Sequence, residues 1–110
     1  AKSNDQTLLK VFREKIAPAI SKFEPEMIFL GAGFDLHWRD PLGTFNATIS
    51  GITQLHQEAI DLAKKLCHGK IVVSLEGGYN SLATAHCATN TVKLLLGRKD
   101  FSDPLGKPKN

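Results

Sequence analysis

Two short stretches hold most of the side chains able to do chemistry. The first, Gly33-Phe34-Asp35-Leu36-His37-Trp38-Arg39-Asp40-Pro41-Leu42-Gly43, places two carboxylates and an imidazole close together. The second, Leu75-Glu76-Gly77-Gly78-Tyr79-Asn80, sets a phenol directly after two glycines. Carboxylate oxygen is a hard donor that suits Zn²⁺ when imidazoles or other carboxylates complete the shell. Asp40 is therefore a candidate metal ligand or base. Its alternative role is to cap the turn after Arg39, paired with that arginine. Asp35, His37 and Asp40 also form a local three-ligand candidate. Against it, Asp35 can hold the loop by accepting backbone N–H bonds, while His37 packs or bonds nearby. Tyr79 can donate a hydrogen bond to an oxyanion without carrying charge, or can pack across a strand end. Gly77 and Gly78 leave room for a tight turn and for a substrate beside the phenol, but match no phosphate-binding pattern. Glu76 can act as a base or bind the adjacent loop. His56, His68 and His86 have no partners at metal spacing and read as structural or solvated.

Each stretch must be carried by an element. An apolar run, Met27 to Leu30, feeds the first, and Ile71-Val72-Val73-Ser74-Leu75 feeds the second. Neither run alternates polar with apolar, which predicts strands inside a parallel sheet covered by helices on both faces. Two polar exits at one sheet edge predict a single shared site. Before the first strand, Leu8, Phe12, Ile16 and Ile20 recur at helical spacing, with Ser3 or Asn4 as cap. Pro18 should kink that helix or start a new turn, with Ala17 pushed out of the α region. Between the strands, Thr48 or Ser50 caps a helix with the stripe Ile52, Leu55, Ala59, Leu62, Ala63 and Leu66, closed by Gly69. After the second strand, Asn80 or Ser81 caps a last helix with the stripe Leu82, Ala85, Thr89, Val92 and Leu96. The order helix, strand, helix, strand, helix predicts an α/β fold with a right-handed crossover. Two strands this apolar need neighbours, so the chain is expected to be a fragment of a three-layer α/β domain around a central parallel sheet. Residues 98–110, polar with three spaced Pro/Gly breaks, read as a tail or linker.

Composition narrows the function classes. The 110 residues suffice for one modest core. A net charge of +3, much of its excess near the end, is too weak to argue for nucleic acid. No apolar stretch is long enough to cross a membrane. Cys67 and Cys87 lie far apart and outside any CxxC pair, which favours reduced, helix-packed thiols.

Taken together and in order, Gly33-Phe34-Asp35-x-His37-x-x-Asp40-Pro41-Leu42-Gly43 and Leu75-Glu76-Gly77-Gly78-Tyr79-Asn80 resemble the zinc-dependent histone deacetylase family. The closer likeness is to its class II branch and to the acetoin-utilization and acetylpolyamine amidohydrolase relatives. The resemblance runs roughly from Val11 to Gly97 and suggests the C-terminal portion only of that arginase/deacetylase-like domain, residues 1–97, with 98–110 outside it. It implies Asp40 as a Zn²⁺ ligand, Tyr79 as the catalytic group that polarises the acyl oxygen, and Gly77 and Gly78 as lining of the acyl-lysine channel. Asp35 and His37 then become structural loop residues, which displaces the local three-ligand idea. The implied reaction is zinc-dependent hydrolysis of acetyl-lysine in histones or other proteins. Acetylpolyamine deacetylation, or a non-catalytic binding module of the same fold, is the alternative. The family's histidine pair and its other zinc ligands are absent here, so the isolated chain is expected to be inactive and to need the remainder of its catalytic domain as partner. Nucleus or cytoplasm is the expected location, with no nucleic-acid or membrane partner.

Overall fold

A computed structural model describes residues 2–109. The chain opens with α1 (Asp5–Val11), runs without a break through one π-helical turn (Phe12–Ile16), and continues as α2 (Ala17–Phe23). Asn4 caps α1 by accepting the Thr7 N–H at 3.1 Å. Ala17, expected outside the α region, stays helical at φ −60° and ψ −43°. The physical reason is the π-turn: its wider bonding register, seen in the Ala17 N–H reaching Phe12 O, lets the helix pass Pro18 without a break. Glu24 ends α2 in the left-handed conformation at φ 55°.

Strand β1 (Ile28–Ala32) pairs in parallel with β2 (Ile71–Leu75), from Ile28 opposite Ile71 to Ala32 opposite Leu75. The crossover is α3 (Ile49–Cys67). Thr48 caps it, its hydroxyl oxygen accepting the Gly51 N–H at 3.0 Å. The left-handed turn at His68 and Gly69 closes it, with the Gly69 N–H on Ala63 O. Finally, α4 (Ser81–Leu95) starts from Asn80, whose side chain accepts the Ala83 N–H at 2.9 Å. This is the expected α/β arrangement, a small parallel sheet with flanking helices.

The core lies on one face of the sheet. Ala32, Phe34, Ala47, Ile49, Ile52 and Cys87 form it, with Val73 and Leu105 packed at its margin. Within this chain helices cover that face, and Phe29 and Val72 stand exposed on the other. The stripe expected on α4 is the wrong one. Its core side carries Ala83, Cys87, Asn90, Thr91 and Leu94, whereas Leu82, Val92 and Leu96 are exposed. The helix is apolar on two sides, and Asn90 and Thr91 qualify for the core by pairing their polar atoms. Asn90 bonds Thr53 and the Ser102 backbone, and Thr91 bonds His56 and Cys87 O.

Residues 98–109, expected as a free polar tail or linker, are irregular yet folded back on the body. Asp103 accepts from the N–H and the hydroxyl of Ser50, both at 2.9 Å, at the start of α3. The Trp38 indole N–H donates to Gly106 O at 2.8 Å. Both cysteines are buried and free, and burial pushes the Cys87 thiol up to about 12. No helix among the described residues is long and apolar enough to cross a membrane.

Candidate functional site

Parallel pairing in register ends β1 and β2 side by side, so the two polar loops leave from one edge. Backbone bonds hold them together at once: Glu76 N–H to Ala32 O at 3.0 Å and Phe34 N–H to Gly77 O at 2.8 Å. A short 3-10 turn (Phe34–Leu36) then buries Phe34 and turns the chain toward Asp40.

Asp40 is 8% exposed, and its carboxylate accepts three backbone N–H bonds. One oxygen accepts from Leu42 N–H at 2.9 Å and Gly43 N–H at 2.8 Å. The other accepts from Tyr79 N–H, across the gap between the loops, at 2.8 Å. Burial alone would push this carboxyl upward, but the backbone N–H groups of Tyr79, Leu42, Gly43 and Asn80 outweigh it and hold the group below its ordinary value. Its neighbour Arg39 lies over the Trp38 ring at 4.9 Å.

Asp35 differs from Asp40 in this respect. It is half-buried, and among the described residues no donor reaches its side chain. The carboxylate lies against the Gly77 backbone, where a Cβ on that glycine would stand 2.6 Å from Oδ2. Its backbone carbonyl sits where a Cβ on Gly43 would have to be. The loop thus folds back on itself and needs glycine at both points of closest approach.

His37 is 1% exposed. Its Nδ1 accepts the Arg39 N–H at 3.1 Å, which assigns the proton to Nε2, and Nε2 has no partner among the described residues. Burial lowers its pKa most, with Asp103 pulling it back up. Gly78 adopts φ 142°, and a Cβ there would meet Thr84 Oγ1 at 2.6 Å. Tyr79 is 57% exposed, and its hydroxyl makes no hydrogen bond among the described residues. Glu76 lies with its carboxylate over Gly31 on the sheet. His56 sits in the core, its Nδ1 at 2.9 Å from Thr91 Oγ1, and His68 is exposed at the end of α3. Among the described residues no group of three or more His, Cys, Asp or Glu side chains could hold a metal ion.

The two loops therefore bring Asp35, Asp40, Gly77, Gly78 and Tyr79 together, and leave the other histidines outside. The family model described as the histone deacetylase domain matches residues 1–95. The chain belongs to that family. Histone deacetylase 14, chloroplastic, of Arabidopsis thaliana is 33% identical over 106 residues, which cover 96% of this chain and 25% of the relative. A probable deacetylase of Archaeoglobus fulgidus is 35% identical over 78 residues, 71% of this chain and 22% of its own length. The crystal structure of the HDA15 HD domain superposes with a TM-score of 0.77 at 33% identity, covering 90% of this chain and 27% of that one. A second solved histone deacetylase gives a TM-score of 0.80 at 27% identity, covering 94% of this chain.

These matches correct the extent expected of the resemblance. It is not confined to Val11–Gly97 as a C-terminal portion, because the family match begins at residue 1 and the structural likeness takes in nearly the whole chain. The chain spans about a quarter of the length of Arabidopsis histone deacetylase 14. The turn-capping role weighed for Asp40 is present in the bonds from Leu42 and Gly43 N–H.

Proposed function

We propose that this deacetylase-family chain carries one side of an amide-hydrolase site that removes acetyl groups from amines. Asp35 is its carboxylate for a zinc ion, and Tyr79 is its donor to the amide oxygen. The ligand role that the resemblance implied for Asp40 passes to Asp35. The observation that carries this reading is the contrast between the two carboxylates. Asp40 already accepts three backbone N–H bonds, whereas Asp35 accepts none among the described residues and lies open beside Gly77. A hard oxygen donor with free lone pairs fits Zn²⁺ and gives up no bond on binding it. Zinc held there would polarise the amide carbonyl and lower the pKa of water.

The chain's own residues supply the rest of one wall. Tyr79 offers a neutral O–H to the carbonyl oxygen as negative charge grows on it, so its bond strengthens toward the transition state. Gly77 and Gly78 leave space for an extended acyl-amine chain beside that hydroxyl. His37 and His56 are buried and engaged with their own neighbours, so neither is given the proton transfers. The substrate class is an acetylated primary amine, and the family likeness covers both an acetylpolyamine and the acetyl-lysine of a histone or other protein. Two buried free thiols suit a reducing compartment such as nucleus or cytoplasm.

A second reading, a deacetylase-fold binding module without catalysis, is favoured by one observation: the described residues hold no complete metal centre of their own. The test uses the complete natural polypeptide that carries this chain. Bound zinc is measured in the parent and in Asp35→Asn, together with hydrolysis of an acetyl-lysine peptide and an acetylated polyamine. The parent should bind zinc and hydrolyse at least one substrate, and Asp35→Asn should lose both. Full zinc in Asp35→Asn removes Asp35 as ligand. A parent with neither zinc nor turnover establishes the binding module.

A further inference from the structure

We propose that the segment after α4 is a strap that holds the loop after β1 from behind, with Trp38 and Asp103 as its positioning residues. This deepens the reading of the amide-hydrolase site and rests on it, because the loop that is held carries Asp35 and Asp40. The need for a strap follows from the course of that loop. Its one regular element is the short 3-10 turn (Phe34–Leu36). Trp38 lies between the two carboxylates in sequence. Its backbone N–H donates to Ala47 O at 2.9 Å, within the same connection. Its indole N–H reaches out of the connection altogether, to Gly106 O at 2.8 Å. An indole has one polar donor, so that bond sets the orientation of the ring. The Arg39 guanidinium lies over the same ring at 4.9 Å.

Gly106 O is a firm anchor only if the strap is itself fixed, and it is fixed at three points. Ser102 is bonded in both directions to the buried Asn90 of α4: Asn90 Nδ2 donates to Ser102 O at 3.0 Å, and Ser102 N–H donates to Asn90 Oδ1 at 3.3 Å. Leu105 packs against the core. Asp103 joins two elements with its two oxygens. Oδ2 accepts the N–H and the hydroxyl of Ser50 at the start of α3, and Oδ1 accepts the Gly106 N–H at 2.9 Å. Gly106 itself turns at φ 60°, a conformation that favours glycine. Capping α3 would need only Oδ2. The second oxygen instead folds the turn that presents Gly106 O to Trp38. Charge-assisted bonds of this kind are roughly twice as strong as neutral ones. A closed circuit results: the loop after β1 leads into α3, α3 is bonded to Asp103, and the Asp103 turn is bonded back to the loop at Trp38.

Trp38→Phe isolates this role, because it keeps an apolar ring and removes the N–H that meets the strap. In the complete natural polypeptide, amide hydrogen exchange is followed for the parent, Trp38→Phe, Asp103→Ala and the double variant, with kcat and KM measured at saturating zinc. In Trp38→Phe the amides of Leu42 and Gly43 should exchange about tenfold faster while those within α3 and α4 keep their parental rates, the mark of a local opening. Its kcat should fall about tenfold at unchanged KM, within the scale of a misplaced catalytic group. In the Trp38→Phe background Asp103→Ala should cost little more in kcat, because both act through one chain of bonds. Parental exchange at Leu42 and Gly43 in Trp38→Phe would overturn the proposal. So would losses in kcat that multiply in the double variant, or a change confined to KM, which would put Trp38 on the substrate. If Asp103→Ala does not fold, Trp38→Phe alone decides. A parent without zinc or turnover would instead sink the amide-hydrolase reading, and the exchange rates would still decide the strap.

Discussion

The most direct perturbation of the proposed chemistry is Tyr79→Phe. It keeps the ring and removes one hydroxyl. The structure makes the ground-state cost small, because that hydroxyl has no partner among the described residues and Tyr79 is 57% exposed. No buried group is left unsatisfied and no apolar contact is lost, so the unfolding free energy should move by less than about 0.5 kcal/mol. The bond from Tyr79 N–H to Asp40 is untouched, since it uses the backbone. What disappears is a donor aimed at charge that develops only in the transition state. Removing one such donor typically costs roughly 3 kcal/mol, on the order of a hundredfold to a thousandfold in kcat. Substrate binding precedes that charge, so KM should change little. The assay is steady-state hydrolysis of an acetyl-lysine peptide by the complete natural polypeptide, with bound zinc and a urea midpoint measured on the same preparations. A variant with parental zinc, parental midpoint and kcat within about threefold of the parent would refute the oxyanion role. A variant that lost stability as well would show that the hydroxyl has a structural partner after all.

Two further predictions concern the scaffold beneath the site. Gly43→Ala drives a Cβ into the backbone carbonyl of Asp35 and should cost about 1–3 kcal/mol by overpacking; a parental urea midpoint with parental zinc content would show that the loop yields freely. His56 is 4% exposed, and burial lowers its pKa to about 4 from 6.5. The folded value is the depressed one, so the unfolded chain binds more protons: the contribution of His56 is fully present above pH 6.5 and is lost as pH falls toward 4. The difference in values corresponds to about 3 kcal/mol. Urea midpoints of the parent and His56→Gln between pH 7 and pH 4 should therefore converge on acidification, and parallel curves would show that His56 carries no such penalty.

Much of the scaffold was legible because its determinants are local. Asn4, Thr48 and Asn80 cap helices where their short polar side chains permit it, and the two apolar runs became paired strands. The misreadings have a common physical source. Pro18 forbids a regular α-turn, yet one π-turn absorbs it at little cost, and local rules do not anticipate that remedy. The α4 stripe was misassigned because Leu82, Val92 and Leu96 are as apolar as any core face, while the true core side recruits Asn90 and Thr91. Those two qualify only through partners on α3 and in the segment after α4, which periodicity within one helix does not reveal.

The site shows the same division more sharply. Its existence was readable, because each strand exits into glycine and polar side chains, and parallel pairing puts both exits at one edge. An antiparallel pair would have sent them to opposite ends. In the parallel register Ala32 lies beside Leu75, so Asp35 and Tyr79, distant in sequence, leave the sheet as neighbours. The difference in backbone contacts between the two carboxylates was not readable. Asp35 and Asp40 are the same residue type in one loop, and what separates them is which backbone N–H groups point at each. Those N–H groups belong to a turn that only glycine at position 43 can close and to a loop from the other strand. Residue type therefore supplies the chemistry that is possible, and the backbone decides how each copy is held. Backbone N–H groups orient one carboxylate and leave it preorganised, while the other keeps its lone pairs at the same edge.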